Sequence, residues 1–595
     1  MIAVEKLVIG HLDLWTTAIK RKSTAGRGSS KKIELYGIKK LRELILDLAV
    51  RGLLLQQDPK EEPAGELLRQ IAIEKAELLK KGKIKADKLL PPIDDVEKPF
   101  RLPSGWLWER LPNISFIQEG PGIMAKDFRG EGIPLIRISG MHGPLVSLNG
   151  CNFLDEDMVA KKWNHFRLEG DDILLSSSAS LGKVSKVGND AIGAIAYTGL
   201  IRFKPYQPLF DDYLIRFLGS NEFARQIDGS KKGAAIQHFG PTHLRWMVVP
   251  LPPLAEQYRI VAKVDELMAL CDQLEQQADA SLGAHQTLVA TLLGALTSAT
   301  DHSQFAYAWQ RIAEHFDTLF TTGESIDQLK QAILQLGVTG KLVPQDLNDE
   351  PASELLDRIS AEKTVLVKAG KIKKEKQLPP VADEEKLFSL PSGWEWCRLE
   401  NLSLQSEAGW SPKCEETPRT GENWAVLKVS AVTWGEFNPA ENKALPPNLD
   451  PVPDYEVKPG DFLISRANTA ELVARSVVVQ DQAPSKLMMS DKIIRFKFSQ
   501  KVCVPYMSLF NNSGGARRYY LQVAGGTSSS MKNVSRLQIQ SLVVALPPFS
   551  EQNRIVAKID ELMALCDQLT SRLGGAQTIQ LYLADALTDS ALARV

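Results

Sequence analysis

Few residues in this chain have the types and spacing that covalent chemistry needs. Asp454, Glu456 and Lys458 in PDYEVK (453–458) imitate the two-acid, one-lysine set of metal-dependent nucleases. In such enzymes the carboxylates converge on one ion from separate chain segments. Here they stand two residues apart before a turn, and the first half of the chain has no counterpart. We read the pattern as a coincidence. STAGRGSSKK (23–32) lacks the spacing and the strand-to-helix setting of a phosphate loop and reads as a flexible basic loop. There is no glycine-rich dinucleotide fingerprint and no [ND]-P-P-[YFW] tetrapeptide of the amino-methyltransferase kind. The eight histidines form no HExxH or other metal-ligand cluster. Six scattered cysteines without a CxxC pair point to a reducing cytoplasm, with neither a disulfide framework nor a zinc site.

What remains is the chemistry of binding. Arg, Lys, Ser, Thr, Asn and Gln read base edges and phosphates. They gather in two glycine-broken stretches. The first offers Lys126, Arg129, Arg137, Ser176, Ser177, Ser178, Lys183, Lys231, Lys232, Gln237 and His238. The second offers Lys413, Arg419, Lys428, Arg466, Asn468, Arg475, Arg517, Arg518, Thr527, Ser528, Lys532 and Asn533. For each one, a solvated surface side chain is the alternative.

The elements that must position these residues come in two copies. The 25 residues at 251–275 recur at 546–570 with 20 identities, a shift of 295. LPSGWLWERL at 102 recurs as LPSGWEWCRL at 390, a shift of 288, and residues 41–100 recur at 329–388 with the same shift. The copies agree closely outside 113–245 and 401–540 and poorly inside them, where only islands match: PLIRIS with AVLKVS, and GDDILLS with GDFLISR. After each LPP, apolar residues step by 4 and 3 (Ile260, Val264, Leu267, Cys271, Leu274; Ile555, Ile559, Leu562, Cys566, Leu569), an a/d helical seam. The first seam continues more weakly through Ser281, His285, Leu288 and Leu292, and Gly283, Gly574 and Gly575 are expected to loosen the two helices. Cys271 and Cys566 fit as small core residues, and Trp106, Trp108, Trp394 and Trp396 as packing anchors. The basic runs at Lys80 and Lys368 read as solvated linkers, with phosphate or partner contact as the alternative.

The pattern predicts an α+β protein: two mixed α/β domains separated by long antiparallel coiled-coil helices, an internal tandem repeat with pseudo-two-fold symmetry. The expected divisions are 1–100, helical; 101–250, first variable domain; 251–300, long spacer helix; 301–388, a repeat of 1–100; 389–545, second variable domain; and 546–595, second spacer helix. Length and composition agree. The chain has 595 residues, 44% hydrophobic and 24% charged, which argues against disorder. With 71 basic and 72 acidic residues, overall charge predicts no polyanion binder. Each variable domain holds 17 basic residues against 15 acidic, so non-specific DNA affinity should be modest. No apolar run approaches a membrane span, and the N-terminus lacks a signal-peptide pattern.

Two variable domains on a repeated strut make a ruler. The 25 identical-length helical residues span ~37 Å at ~1.5 Å per residue, close to the ~34 Å that separates two readers on one side of a duplex. With LPxGWxWxxL opening each variable domain, PLIRIS and GDxLxS within it and LPPLAEQxRIVAKVDELMALCD closing it, all duplicated, the chain resembles the specificity subunit of type I restriction–modification enzymes. ELYGIKKLRELILDLAVRGLL resembles the type IB subclass. The resemblance implies two target-recognition domains, each reading one part of a split, asymmetric site in double-stranded DNA, with helices that set the gap. It implies no catalysis and no cofactor in this chain. Two modification subunits would carry S-adenosylmethionine and methylate adenine, and restriction subunits would use ATP and Mg. It implies no membrane partner and a cytoplasmic location. The competing readings are a stand-alone endonuclease or methyltransferase, and a coiled-coil adaptor without a DNA role. Because Ser176 stands where the second copy has Arg466, a contact proposed for that arginine does not transfer to the first copy.

Overall fold

The computed structural model describes residues 4–21, 33–85, 90–177, 182–230, 239–374, 377–433, 435–528 and 531–593. The chain divides into two compact units. One is Met1–Leu282 together with Ala576–Val595, and the other is Gly283–Gly575. The duplication seen in the sequence is a duplication of elements. Helices Tyr36–Val50 and Ala64–Lys80 of the first unit correspond to Gly323–Val338 and Ala352–Lys368 of the second. The two long helices, Leu254–Ser298 and Phe549–Ala593, have 45 residues each.

Each long helix follows a proline pair and places a glutamate, Glu256 or Glu551, in its first turn, where the helix dipole favours negative charge. Contrary to the expectation of loosening, both helices run unbroken through Gly283 and through Gly574–Gly575. A mid-helix glycine costs about 1 kcal/mol, and apolar packing beyond it offsets that. In the first helix the buried residues after Gly283 are Val289, Leu292, Leu293 and Leu296, whereas Leu288 is 48% exposed. The expected continuation through His285 and Leu288 is therefore displaced by about one position. That is the drift a straight 3.6-residue helix accumulates against a 3.5-residue seam.

In the first unit, Ile260, Val264, Leu267, Cys271 and Leu274 share one core with Ala584 and Ala591. In the second unit, Val289, Leu292, Leu293 and Leu296 share one core with Ile555, Ile559 and Cys566. The start of one long helix thus meets the end of the other in each unit, the order an antiparallel pair requires.

Between helical segments each unit carries a mixed α/β domain. In the first unit, Leu200–Pro205 pairs antiparallel with Ser115–Glu119 and with Ile173–Ser176, and Val184–Lys186 completes four strands. The second unit repeats this with Ser403–Ala408, Ile493–Phe498, Phe462–Ser465 and Ser476–Val478. The helices behind these sheets are Asp211–Leu218 with Asn221–Ser230, and Val504–Asn512 with Gly514–Val523. A second sheet in each domain carries one parallel pairing, Leu135 with Ile195 in one and Ala425 with Leu487 in the other. No helix among the described residues is long and apolar enough to cross a membrane.

Candidate nucleic-acid interface

The repeated motifs are joints. Glu256 is 1% exposed, and its carboxylate accepts from Trp106 Nε1 (2.8 Å) and Gln57 Nε2 (3.2 Å). Glu551 is equally buried and accepts from Trp394 Nε1 and Gln345 Nε2, both at 3.1 Å. Burial pushes both carboxyls up, and the indole and amide hydrogen bonds pull part of the way back. The next residue reaches the variable domain. Gln257 Oε1 accepts from the backbone N–H of Phe210, and Gln552 Oε1 accepts from that of Cys503. Arg259 forks onto Glu61 with both contacts at 2.9 Å, and Arg554 Nη2 lies 2.7 Å from Asp349. Trp106 and Trp394 are thus buried anchors. Trp108 and Trp396 pack on Phe100 and Phe388, with ring centroids 4.9 and 5.0 Å apart.

The GD island is a joint as well. Asp172, fully buried, places Oδ2 2.7 Å from Arg202 Nε, and the same oxygen accepts from the Glu169 N–H (2.6 Å). In the second domain Asp461 accepts from Arg495 Nη1 at 2.8 Å and from the Lys458 N–H at 2.9 Å. Both arginines belong to a further repeat, LIRFKP (200–205) and IIRFKF (493–498), whose shared IRFK the sequence displays and our reading of it missed.

The sequence-predicted polar loops of the second domain converge on one small sheet. Ala467–Asn468 pairs with Met531–Asn533, which pairs with Gly525–Ser528. This sheet joins Arg466, Asn468, Thr527, Ser528, Lys532 and Asn533 on neighbouring strands and their edges. The Arg466 carbonyl accepts from the Val534 N–H, and the Arg466 N–H donates to Lys492 O. Lys492, exposed at that edge, was not among the expected residues. Asn468 Nδ2 donates to Thr433 Oγ1 at 3.2 Å, and Lys532 Nζ donates to Gly526 O at 2.6 Å. The amide, lysine and arginine side chains on and beside this sheet offer donors and acceptors to base edges and phosphates.

A family profile described as "Type I restriction modification DNA specificity domain" matches residues 103–283. The type I restriction enzyme EcoEI specificity subunit of Escherichia coli is 45% identical across 99% of this chain and 100% of its own length. The chain belongs to the type I restriction enzyme specificity subunits. The EcoAI specificity subunit, also of Escherichia coli, is 41% identical with the same coverage. Among solved structures, the HsdS subunit from Thermoanaerobacter tengcongensis aligns with 83% of this chain and 98% of its own, at 17% identity and a TM-score of 0.38. As a specificity subunit the chain is non-catalytic, and catalysis resides in partner subunits.

The remaining expected residues of the specificity subunit are distributed as follows. Lys126 and Arg129 are exposed and adjoining, with Arg129 Nη1 donating to the carbonyls of Lys126 and Phe128 at 3.0 Å. Arg137 is exposed over the Tyr197 ring, 5.7 Å from its centroid. Ser176 and Ser177 are a correction. They are 0% and 3% exposed, because the strand Ile173–Ser176 is buried on both faces, and Ser176 Oγ accepts from the Lys183 N–H at 2.9 Å. Lys183 is half-buried just beyond. Ser178, Lys231, Lys232, Gln237 and His238 lie outside the described residues, as does the 23–32 loop. In the second domain Lys413 and Arg518 are exposed. Arg419 spends its guanidinium on the carbonyls of Asn423 (3.0 Å) and Ser485 (2.7 Å), holding a loop closed. Lys428 stands 4.0 Å from Glu441. Arg475 and Arg517 are half-buried, and Arg517 Nη2 donates to the Glu471 carbonyl at 3.2 Å.

Lys161 and Lys162 also lie exposed on the π-helical turn Val159–Trp163, where the only signal in the sequence is the KKW run itself. The PDYEVK acids are part of the fold. Glu456 Oε1 accepts from the Lys486 N–H (2.6 Å), and the backbone carbonyls of Asp454 and Glu456 accept from Arg495. Among the described residues no group of three His, Cys, Asp or Glu side chains is placed to hold a metal.

Proposed function

We propose that residues 101–250 and 389–545 are two target-recognition domains, each reading one half of a split, asymmetric site in double-stranded DNA. The long helices at 251–300 and 546–595 set the gap between the halves. In this reading the subunit works in the cytoplasm with two modification subunits, which use S-adenosylmethionine to methylate adenine, and with restriction subunits that use ATP and Mg. It binds no cofactor itself. The candidate DNA contacts are the exposed Lys126, Arg129 and Arg137 in the first domain, and in the second the exposed Lys413, Arg518 and Asn533 with the half-buried Arg466, Asn468 and Lys532.

The observation that carries the proposal is the contrast between joint and loop. The Glu–Trp–Gln joints and the Asp–Arg joints recur in both units with the same partners in the same roles. The polar loops they hold have almost nothing in common. A constant frame presenting two unlike reading surfaces is what an asymmetric bipartite target demands. The test is to replace residues 101–250 by the corresponding part of another specificity subunit and to map methylated adenines across the host genome. One half of the methylated motif should change while the other half and the gap stay as they were. Change in both halves, or in the gap alone, refutes the assignment.

A further inference from the structure

Among the described residues, two arginines of the second unit, Arg475 and Arg517, have no carboxylate within ion-pair distance. Arg475 ends the 466–475 loop, whose other end supplies the Ala467–Asn468 strand of the small sheet. Its neighbours are fastened on both sides. Asn511 Nδ2 donates to the Ala474 carbonyl at 2.8 Å, and Asn512 exchanges hydrogen bonds with the backbone of Ser476 at 3.1 and 2.9 Å. Ala474 itself is held at φ +59, a left-handed conformation that a residue with a Cβ adopts only under constraint.

Arg517 approaches from the helix Gly514–Val523. Its Nη2 donates to the carbonyl of Glu471, in the same loop, at 3.2 Å. Its guanidinium lies 5.7 Å from the centroid of the Tyr520 ring. Tyr520 Oη in turn donates to Asn511 Oδ1 at 2.7 Å. One fully buried asparagine therefore braces both arginines, through a carbonyl on one side and a tyrosine on the other.

The donors are not satisfied. Arg517 Nη1 is buried without an acceptor, and among the described residues the Arg475 guanidinium has no hydrogen-bond acceptor. Burial and the charge of Arg475 together push Arg517 down to about 10, and no carboxylate works against them. Burial likewise pushes Arg475 down, with only the exposed Glu471 opposing. Two half-buried guanidiniums that repel each other are a cost to the folded chain. The group that relieves it must bring formal negative charge and several acceptor lone pairs. Base edges bring no charge. A phosphate brings both, and a pair of its oxygens matches the planar guanidinium fork.

We propose that Arg475 and Arg517 jointly bind one phosphodiester of the DNA backbone, fixing the register of the 466–475 loop on the duplex without reading a base. This rests on the DNA-recognition reading above. The continuity of the loop with the polar sheet favours DNA over an acidic partner surface.

The experiment uses the specificity subunit assembled with its modification subunits and duplexes carrying the motif found by methylation mapping. Affinity is measured from 50 to 200 mM salt for wild type, Arg475→Gln, Arg517→Gln, the double variant and Arg517→Lys. Each Gln variant should lower the slope of log K against log salt by about 0.9, which shrinks the fourfold-salt penalty by about 3.5-fold. The double variant should lose no more than either single one, because both act on one phosphate. Arg517→Lys should keep the slope. The preference for the motif over a one-base mismatch should be unchanged. Arg475→Gln should melt at or above the wild-type temperature, since it removes a repulsion. A single methylphosphonate at the contacted linkage should weaken wild type and leave the double variant unaffected.

An unchanged slope overturns the proposal. So does a lost base preference, which would mean base reading, or lost assembly with the modification subunits at constant slope, which would mean a partner carboxylate. If wild type shows no preference for any motif, the recognition reading fails instead, and the slope on arbitrary duplex still decides whether this pair binds phosphate.

Discussion

Glu256→Ala tests whether the repeated Glu–Trp–Gln joints hold the frame. The substitution removes the acceptor that Trp106 Nε1, on a side chain 5% exposed, has among the described residues. Gln57 suffers less, since its Nε2 still donates to the Gly52 carbonyl at 2.8 Å. One orphaned buried donor costs about 1–3 kcal/mol. Relief from burying a carboxylate whose ionised form burial disfavours works in the opposite direction. We place the net loss at about 1–2 kcal/mol, a factor of about 5–30 in the local opening constant. Hydrogen exchange of the full-length chain, read by mass spectrometry, separates this from a general loss of stability. Exchange in peptides covering 102–111 should accelerate by that factor, while peptides covering 390–399, which contain the equivalent Trp394, stay at the wild-type rate. Glu551→Ala should give the mirror image. Glu256→Gln, whose remaining carbonyl can still accept from the indole, should recover most of the protection. Wild-type exchange at 102–111 in Glu256→Ala, or equal acceleration in both peptides, would refute the reasoning.

The last turns of the chain belong to the first unit, where Ala584 and Ala591 are buried and Asp585 accepts from Tyr36 Oη at 2.8 Å and lies 3.2 Å from Lys40 Nζ. Deleting 576–595 should therefore make residues 4–282 the first to be cut in limited proteolysis, and preferential cutting within 283–575 would count against this. The Arg398 hydrogen bonds hold the Glu385 carboxyl below the usual range, aided by the Ala382 N–H. A depressed folded-state value means that the pair's stabilisation is complete above about pH 4.5 and is lost as pH falls through the lowered value. Glu385→Gln should thus lower the melting temperature at pH 7 and narrow the gap to wild type by pH 3, and a gap constant with pH would exclude this coupling.

Much of the frame was legible because its signals are local. Two prolines, a first-turn acid and a 3.5-residue seam mark a helix start wherever they occur, and twenty identities make the second copy unmistakable. The weak points were long-range. Gly283 and Gly574–Gly575 suggested breaks, but packing by Val289, Leu292 and Leu293 beyond the first of them overrides local propensity. The order of the strands was not legible. Leu200–Pro205 takes its partners from 115–119 and 173–176, and no local pattern announces a neighbour 80 residues away. The site divides the same way. Residue type singled out Arg466, Asn468, Lys532 and Asn533, but it did not display the small sheet that joins them, and alternation alone could not reveal that Ser176 is buried on both faces of its strand. Arg419 looked free because its acceptors are backbone carbonyls, which no sequence pattern displays.

The way the frame grips its variable domains explains how those domains can differ so widely. Gln257 and Gln552 hold backbone N–H groups of Phe210 and Cys503 and donate to the carbonyls of Pro252 and Pro547. Tyr213 and Tyr506 donate to the carbonyls of Pro250 and Ala545. Lys75 and Lys363 reach the carbonyls of Pro112 and Glu400. Contacts made to backbone atoms are indifferent to the side chain they pass, so Phe210 can face Cys503 across the two copies without altering the joint. The charged joint shows the same tolerance one level deeper. Arg202 takes Asp172 with Glu169, whereas Arg495 takes Asp461 with Glu407, so the arginine and the turn aspartate persist while the second acid moves from the loop before Ile173–Ser176 to the strand Ser403–Ala408. A domain held to its frame through backbone atoms, and pinned internally by one buried ion pair, can exchange exposed loop side chains without losing its seat. That freedom is what a subunit needs if its targets are to change while its partners stay the same.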